Sequence, residues 1–324
     1  MVGAALSRDD NTFPILGYLT FYSIPDLSIS ADRVRKLWDD AGCPGSVPAI
    51  RGCDAFRRAT SSLATSSATI GVNGIDYPIR ILVREVSYDK DTVLRHLILE
   101  RVDKKGKRLS YLHAGDLCYD RNSDSIVTNM VADANAGNFV PNLLAQASQL
   151  FLDYRYNHNQ DTVRNFVGRN LTNLNNVAII PGSPGKFVPR SYQIELEALG
   201  QFLVGLCLEV EGDDCRMDLL PLVDTETARR TLTNSVQGEF TSRVDTLIEE
   251  FAVYLKGERP ANVHVIARLI EQSNNVRVQA AEYQKLLSVR MGFVEHQTQD
   301  LINRISALVH GDQPAEGILV ELVS

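Results

Sequence analysis

The sequence predicts an α+β protein that ends in a long helical arm. Three observations support this: an apolar/polar alternation within residues 77–131, a second mixed stretch of helices and strands, and helical apolar stripes towards the C-terminus. Antiparallel strands with separate helices are typical of α+β folds rather than of alternating α/β folds. We therefore predict four segments, with boundaries at 1–135, 136–223, 224–310 and 311–324.

The segment 1–135 is predicted to place two short helices ahead of an antiparallel β-meander. The aromatic and β-branched stretch 15–24 indicates a buried strand. Ser30 is the expected N-cap of the first helix, since three apolar residues behind it share one helical face: Val34, Leu37 and Trp38. A second helix is expected at 53–59.

Four strands are predicted for the meander. In the first, three apolar residues alternate with their neighbours, as they do on a half-buried strand: Ile79, Ile81 and Val83. Further strands are expected at 93–102, 109–112 and 125–130. The polar turn at 103–108 contains a glycine where a positive φ is needed.

The segment 136–223 is predicted to form a second, smaller α+β unit. Apolar residues at helical spacing indicate two helices between 138 and 172. Strands are expected at 176–181 and 217–223, with a helix at 193–206 between them. The turn at 181–186 separates the first of these strands from the helix.

The segment 224–310 is predicted to be helical, with Asp224 as the N-cap of its first helix. That helix has one apolar stripe and a length of roughly 45 Å, so it requires a packing partner. Gly257 and Pro260 predict an antiparallel second helix. The region is expected to be an antiparallel hairpin or a three-helix bundle. The sequence leaves open whether the third helix closes the bundle or whether the bundle pairs with another copy, as in a coiled coil. Within the tail 311–324, the apolar stretch Gly317–Ser324 is expected to be a strand or a docking peptide.

Composition and targeting signals point to a cytoplasmic protein with no membrane partner. The chain has 324 residues and a formal net charge of −7. It contains no apolar run long enough for a transmembrane helix and no signal-peptide pattern at its start. Its five cysteines form no C-x-x-C pair, which argues against a zinc ribbon and against a disulfide framework. No segment is strongly basic.

The sequence contains no intact catalytic or cofactor-binding motif. The loop 181–186 has two residues between its glycines and Phe187 after its lysine, so it does not match a phosphate-binding loop. No G-x-S-x-G elbow occurs, and the six histidines show no zinc-protease spacing. We therefore expect no cofactor and no bound metal, and a non-enzymatic role is favoured.

One group of residues keeps an enzymatic alternative open. His96 is on one predicted strand and His113 directly follows the next, so the two histidines are expected to approach each other across neighbouring strands, with Asp116 nearby. Imidazole and carboxylate groups in such a trio hold a metal ion or act as acid and base. Ordinary sheet residues explain them equally well. The alternative is a metal-dependent hydrolase or nuclease.

A basic patch in the first segment is the candidate nucleic-acid surface. Its members share a short helix, a strand face or a turn: Arg57, Arg58, Arg80, Arg84, Lys104, Lys105, Lys107 and Arg108. Tyr77, Tyr88 and Tyr111 are available for stacking on bases. Basic and acidic residues balance in this segment, so a solvated charged sheet face is the alternative.

Four short stretches carry a family resemblance: Gly17–Ser23, Asp54–Thr60, Lys186–Pro189 and Leu220–Thr225. With this spacing the chain resembles an uncharacterised family of bacterial and phage proteins that ends in helices. The resemblance implies an origin on a phage or mobile element and favours nucleic-acid, assembly or defence roles. It transfers no catalytic residue. Our leading hypothesis is a binding or assembly protein that forms homo-oligomers through its helical arm and contacts nucleic acid through the basic patch.

Overall fold

A computed structural model describes most of the chain. The described residues are 14–72, 75–103, 108–131, 138–180, 182–210, 215–255, 263–289 and 292–310. They contain an antiparallel five-stranded sheet together with several helices, which confirms the predicted α+β class. The predicted turn at 257–260, the tail 311–324 and the basic residues Lys104, Lys105 and Lys107 lie outside the described residues.

The elements follow one another in chain order. The first half of the chain contains β1 (Ile15–Ser23), β2 (Ser28–Ser30), α1 (Ala31–Asp40), α2 (Gly52–Ser61), β3 (Thr65–Val72), β4 (Ile75–Tyr88), β5 (Thr92–Val102), β6 (Arg108–Asp120), β7 (Ser125–Met130) and α3 (Phe139–Tyr156). The second half contains β8 (Asn157–Asn159), α4 (Gln160–Asn173), β9 (Val177–Ala178), β10 (Lys186–Pro189), α5 (Gln193–Glu209), β11 (Arg216–Val223), α6 (Glu226–Leu255), α7 (Val263–Leu287) and α8 (Gly292–His310).

Two compact units divide the chain. The bundle unit comprises Met1–Ser23, Val167–Val204 and Asp213–Ser324, and the sheet unit comprises Ile24–Phe166 and Gly205–Gly212. The predicted boundaries at residues 135 and 223 are not boundaries of these units. The physical reason is strand pairing, because β1 pairs with β10 and β11, which follow it by more than 150 residues.

The sheet unit is built on the antiparallel sheet β3-β4-β5-β6-β7. The predicted four-stranded meander is present, and β3 adds a fifth strand at its edge. Apolar side chains on one face of this sheet share a core with α2 and α3, which includes Phe56, Leu97 and Phe151. Ile79 and Ile81 belong to that core. Because side chains alternate along a strand, Arg80 and Leu82 point to the opposite face, which we call the open face.

Local capping in this unit follows the prediction for α1. The Ser30 side chain accepts a hydrogen bond from the backbone N–H of Arg33 at 3.3 Å, which satisfies one of the free donors of the first turn. Val34 and Trp38 are fully buried on the predicted apolar face. The ring of Trp38 packs edge-on against Phe166, with ring centroids 5.3 Å apart.

The bundle unit combines the sheet β11-β1-β10-β9 with the helices α6, α7 and α8. The three helices share one core, to which they contribute Phe240, Tyr283 and Leu301, among others. The prediction left open whether the third helix closes a bundle, and it does. Arg229 near the start of α6 donates to the carbonyl of Leu286 near the end of α7, so these two helices are antiparallel, as predicted.

The predicted N-cap of α6 is wrong by one residue. Thr225 Oγ1 accepts from the backbone N–H of Ala228 at 3.1 Å, so Thr225 caps the helix. The Asp224 carboxylate is instead held by the Arg229 guanidinium, with distances of 2.5 and 2.6 Å. This ion pair lowers the pKa of Asp224. Among the described helices, none is both long and apolar enough to cross a membrane.

Candidate metal centre

The open face brings together the three residues of the enzymatic alternative: His96, His113 and Asp116. His96 on β5 lies directly opposite Asp116 on β6. His113 and Asp116 are three residues apart, and in a regular strand an odd separation places two side chains on opposite faces. The structure nevertheless places both on the same face.

A β-bulge in β6 accounts for this placement. The register runs from the pair Leu97–Gly115 directly to the pair Ile98–His113, so Ala114 has no opposite residue. The extra residue changes the alternation and turns His113 to the side of Asp116. Ala114 itself is fully buried in the core on the other face. Gly115 fits beside it because a Cβ there would lie 2.8 Å from the carbonyl oxygen of Asn129.

The three side chains are in direct contact. Asp116 Oδ1 lies 2.8 Å from His113 Nε2 and 3.4 Å from His96 Nε2. The two imidazole rings stack with centroids 4.0 Å apart. One ligand atom from each residue lies within 4.8 Å of the other two. The side chains are 31%, 33% and 27% exposed for His96, His113 and Asp116, so the cluster is accessible from solvent.

These three residue types could hold a divalent transition metal, provided that the two stacked imidazole rings turn so that their Nε2 lone pairs converge on one point. Zinc bonds of 2.0–2.1 Å in tetrahedral geometry place neighbouring ligand atoms about 3.3–3.4 Å apart. The 3.4 Å separation between Asp116 and His96 matches that edge, and the 2.8 Å contact between His113 and Asp116 would need to open by about 0.5–0.6 Å. Two imidazoles and one carboxylate also form the ligand set of catalytic zinc and non-haem iron(II) sites, which keep positions open for water or substrate.

Two members of the cluster, His96 and Asp116, belong to a row of four polar side chains across the sheet. Arg84 on β4 lies opposite His96, and Asn129 on β7 lies opposite Asp116. In the adjacent row, His113 lies opposite Ile98, and Ile98 lies opposite Leu82. Ile98 is buried and Leu82 is half-buried, so His113 borders apolar side chains on this side. Asn129 was not predicted as a site residue from the sequence. What marks it is its position opposite Asp116, and that position is known only from the strand register.

The basic residues predicted to form one surface are distributed over both faces of the sheet. Arg80 lies 3.4 Å and Arg108 lies 3.7 Å from the carboxylate of Glu100, which is nearly buried on the open face. Arg57 is on α2, which packs on the other face, and it makes a two-pronged ion pair with Glu85 at 3.0 and 3.1 Å.

Arg58, the other basic residue of α2, lies over the ring of Tyr154 at 4.7 Å from its centroid. The structure therefore does not bring Arg57 and Arg58 together with Arg80 and Arg84. Of the predicted tyrosines, Tyr77 and Tyr88 are covered by arginine side chains at 3.9 Å and 4.5 Å. Nucleic-acid binding by the patch stays a prediction.

A second feature of the sheet unit is a cavity of about 230 Å³. Arg58, Tyr154, His158 and Thr162 are among the residues that line it. His158 is 1% exposed, and its Nδ1 has no hydrogen-bond partner among the described residues. Burial lowers the pKa of His158, with a smaller contribution from the charge of Arg35, which favours the neutral imidazole. The cavity lacks the converging ligand set that the open face provides.

The fold and the cluster define an α+β protein with a candidate transition-metal centre on an open sheet face. The chain belongs to a family described as "Family of unknown function (DUF6744)", which matches residues 15–313. The predicted membership of an uncharacterised family is thus confirmed. No curated protein and no solved structure matches the chain.

Proposed function

We propose that this protein is a metal-dependent hydrolase whose metal ion is bound by His96, His113 and Asp116. The observation that carries the proposal is the convergence of three ligand atoms within 4.8 Å of one another on a solvent-accessible face. A tetrahedral ion with three protein ligands keeps a fourth position for water. This proposal departs from the expectation that the protein binds no metal, which rested on the absence of a ligand motif in the sequence.

The chemistry follows from the open position. A divalent ion held by these residues would lower the pKa of its bound water to about 7 and so would supply hydroxide near neutral pH. Hydrolysis would form a bond from that oxygen to the electrophilic centre of an ester and would break the bond to the leaving oxygen. The proton lost by the water would go to solvent, and the leaving oxygen would take one from solvent. The chain's own contribution is to hold the ion and to present the open position to substrate.

Reconstitution with metal tests this proposal. Chelator-treated protein is loaded with Zn²⁺, Mn²⁺ or Fe²⁺ and assayed on chromogenic esters, with His96→Ala as the site variant and His264→Ala as the matched control. His264 lies on the exposed side of α7, in the other compact unit. We expect metal to restore hydrolysis in the wild type and in His264→Ala but not in His96→Ala. Hydrolysis that survives chelation and the His96 change would contradict the metal mechanism.

The assembly role suggested by the arm is a separate proposal with less support. The apolar stripe of α6 is buried against α7 and α8 within one chain, so the need for a second copy that motivated it is met internally. Homo-oligomer formation, coiled-coil pairing, a cytoplasmic location and a bacterial or phage origin stay predictions. Light scattering on the full-length protein tests the first, and a monomer at all concentrations would exclude it.

A further inference from the structure

We propose that Arg84 makes the metal centre selective for a phosphoryl group, so that the substrate is a phosphate ester. This inference rests on the proposed metal-dependent hydrolase and names its substrate class. Arg84 lies directly opposite His96 on the neighbouring strand. Side chains in directly opposite positions of an antiparallel pair have Cβ atoms about 4.5–5.5 Å apart, so the side chain of Arg84 is long enough for its guanidinium to reach a ligand bound at the cluster.

Arg84 differs from the other arginines of the sheet in having its charge available. Arg80 and Arg108 share the Glu100 carboxylate, and Arg101 stacks on Tyr77 at 3.9 Å. Arg84 is exposed and makes no ion pair, hydrogen bond or ring contact within the part of the chain that the structure describes. A guanidinium presents its N–H groups in a planar fork that matches two oxygens of a phosphate.

The charge balance of the site favours an anion. The positive charge of a divalent ion is larger than the negative charge of its single carboxylate ligand, Asp116. Arg84 adds a further positive charge beside the ion. A phosphoryl group can place one oxygen on the metal and present two others to the guanidinium. Such clamps are also the arrangement that stabilises charge as it develops on a transferring phosphoryl group. Glu100, on the same face, is already neutralised by Arg80 and Arg108.

The surroundings of the centre allow either a small phosphate ester or a polymer. Tyr111 is 53% exposed and lies opposite Glu100, on the open face. Tyr111 lies two residues before His113 on β6 and four positions along the strands from His96, so it is about 7–13 Å from the members of the centre along the strand direction. The Arg108 guanidinium lies 5.7 Å from the centroid of this ring, so the ring would stack on a base of a single strand whose phosphate is at the metal once Arg108 moves aside.

Binding measurements on metal-loaded protein, freed of unbound metal, test the inference. Fluorescence anisotropy follows a labelled oligothymidylate, and inorganic phosphate is the competitor. We expect Arg84→Ala to weaken binding of both ligands about tenfold to a hundredfold, the loss of one charge-assisted contact. Arg84→Lys should recover part of this, because it keeps the charge but loses the fork. Arg35→Ala, an exposed arginine of the same unit, should bind like the wild type.

The outcomes separate this inference from the proposed function. If the protein loads with metal but Arg84→Ala binds phosphate as the wild type does, the inference is overturned and the metal centre stands. If no metal is retained, both fail. If the wild type binds oligothymidylate more tightly than phosphate, and Tyr111→Ala weakens the binding of oligothymidylate, the inference is supported with a nucleic-acid strand as the phosphate ester. If the two ligands bind equally well and Tyr111→Ala changes neither affinity, the inference is supported with a small phosphate ester as the substrate.

Discussion

Replacing His113 by alanine is predicted to weaken zinc binding by about a hundredfold. Four-ligand zinc sites in small peptides have apparent binding free energies of about 10–16 kcal/mol, or about 3 kcal/mol for each ligand. His113 is one of three candidate ligands and is only one-third exposed, so its loss should cost about that amount. A cost of 3 kcal/mol corresponds to about two orders of magnitude in Kd.

Competition with a chromophoric chelator at pH 7.5 measures this affinity. His264→Ala is the matched control, because it removes one imidazole that is not part of the cluster. Circular dichroism checks that both variants fold, and we expect them to do so because His113 is not a core residue. Equal zinc affinities for His113→Ala and His264→Ala would refute the assignment of His113 as a ligand.

Two further predictions concern the stability of the two units. Tyr283 is fully buried and donates to the backbone carbonyl of Asn175 at 2.6 Å, so Tyr283→Phe should lower the free energy of unfolding by about 1–3 kcal/mol in urea titrations. In the sheet unit, hydrogen bonding to Arg155 is the main cause that lowers the pKa of Asp124 below 3.8. Its stabilisation is therefore present above pH 3.8 and is lost as the pH falls through the lowered value, so Asp124→Asn should flatten the acid limb of the stability profile. If the free energy of unfolding of Asp124→Asn still falls with decreasing pH as steeply as that of the wild type, other carboxyl groups cause the acid sensitivity.

The strand β4 and the helix α6 were predicted correctly because their apolar residues recur with the regular period of a strand or a helix. The alternation of Ile79, Ile81 and Val83 identified β4 and the face that packs on α2 and α3. The stripe from Leu232 to Phe251 identified α6, because a period of 3.6 residues over about five turns has few other interpretations. Edge strand β3 was missed because its residues are mostly small or polar, with no clear alternation.

Features that depend on register or on distant pairing could not be predicted. The face to which His113 points is decided by the bulge at Ala114, and nothing in the residues around it distinguishes a bulged strand from a regular one. Similarly, the pairing of β1 with β11 joins residues about 200 positions apart, and local patterns carry no information about such partners. The sequence therefore named the three cluster residues but not their shared face, nor the row that includes Arg84 and Asn129.

The most direct test of the metal centre is a crystal structure of zinc-loaded protein with anomalous data collected at the zinc absorption edge. We predict an anomalous peak bonded to His96 Nε2, His113 Nε2 and Asp116 Oδ1 at about 2.0–2.2 Å, with water or buffer at the remaining position. A peak located elsewhere, or no peak while His96 and His113 keep their contacts with Asp116, would contradict it.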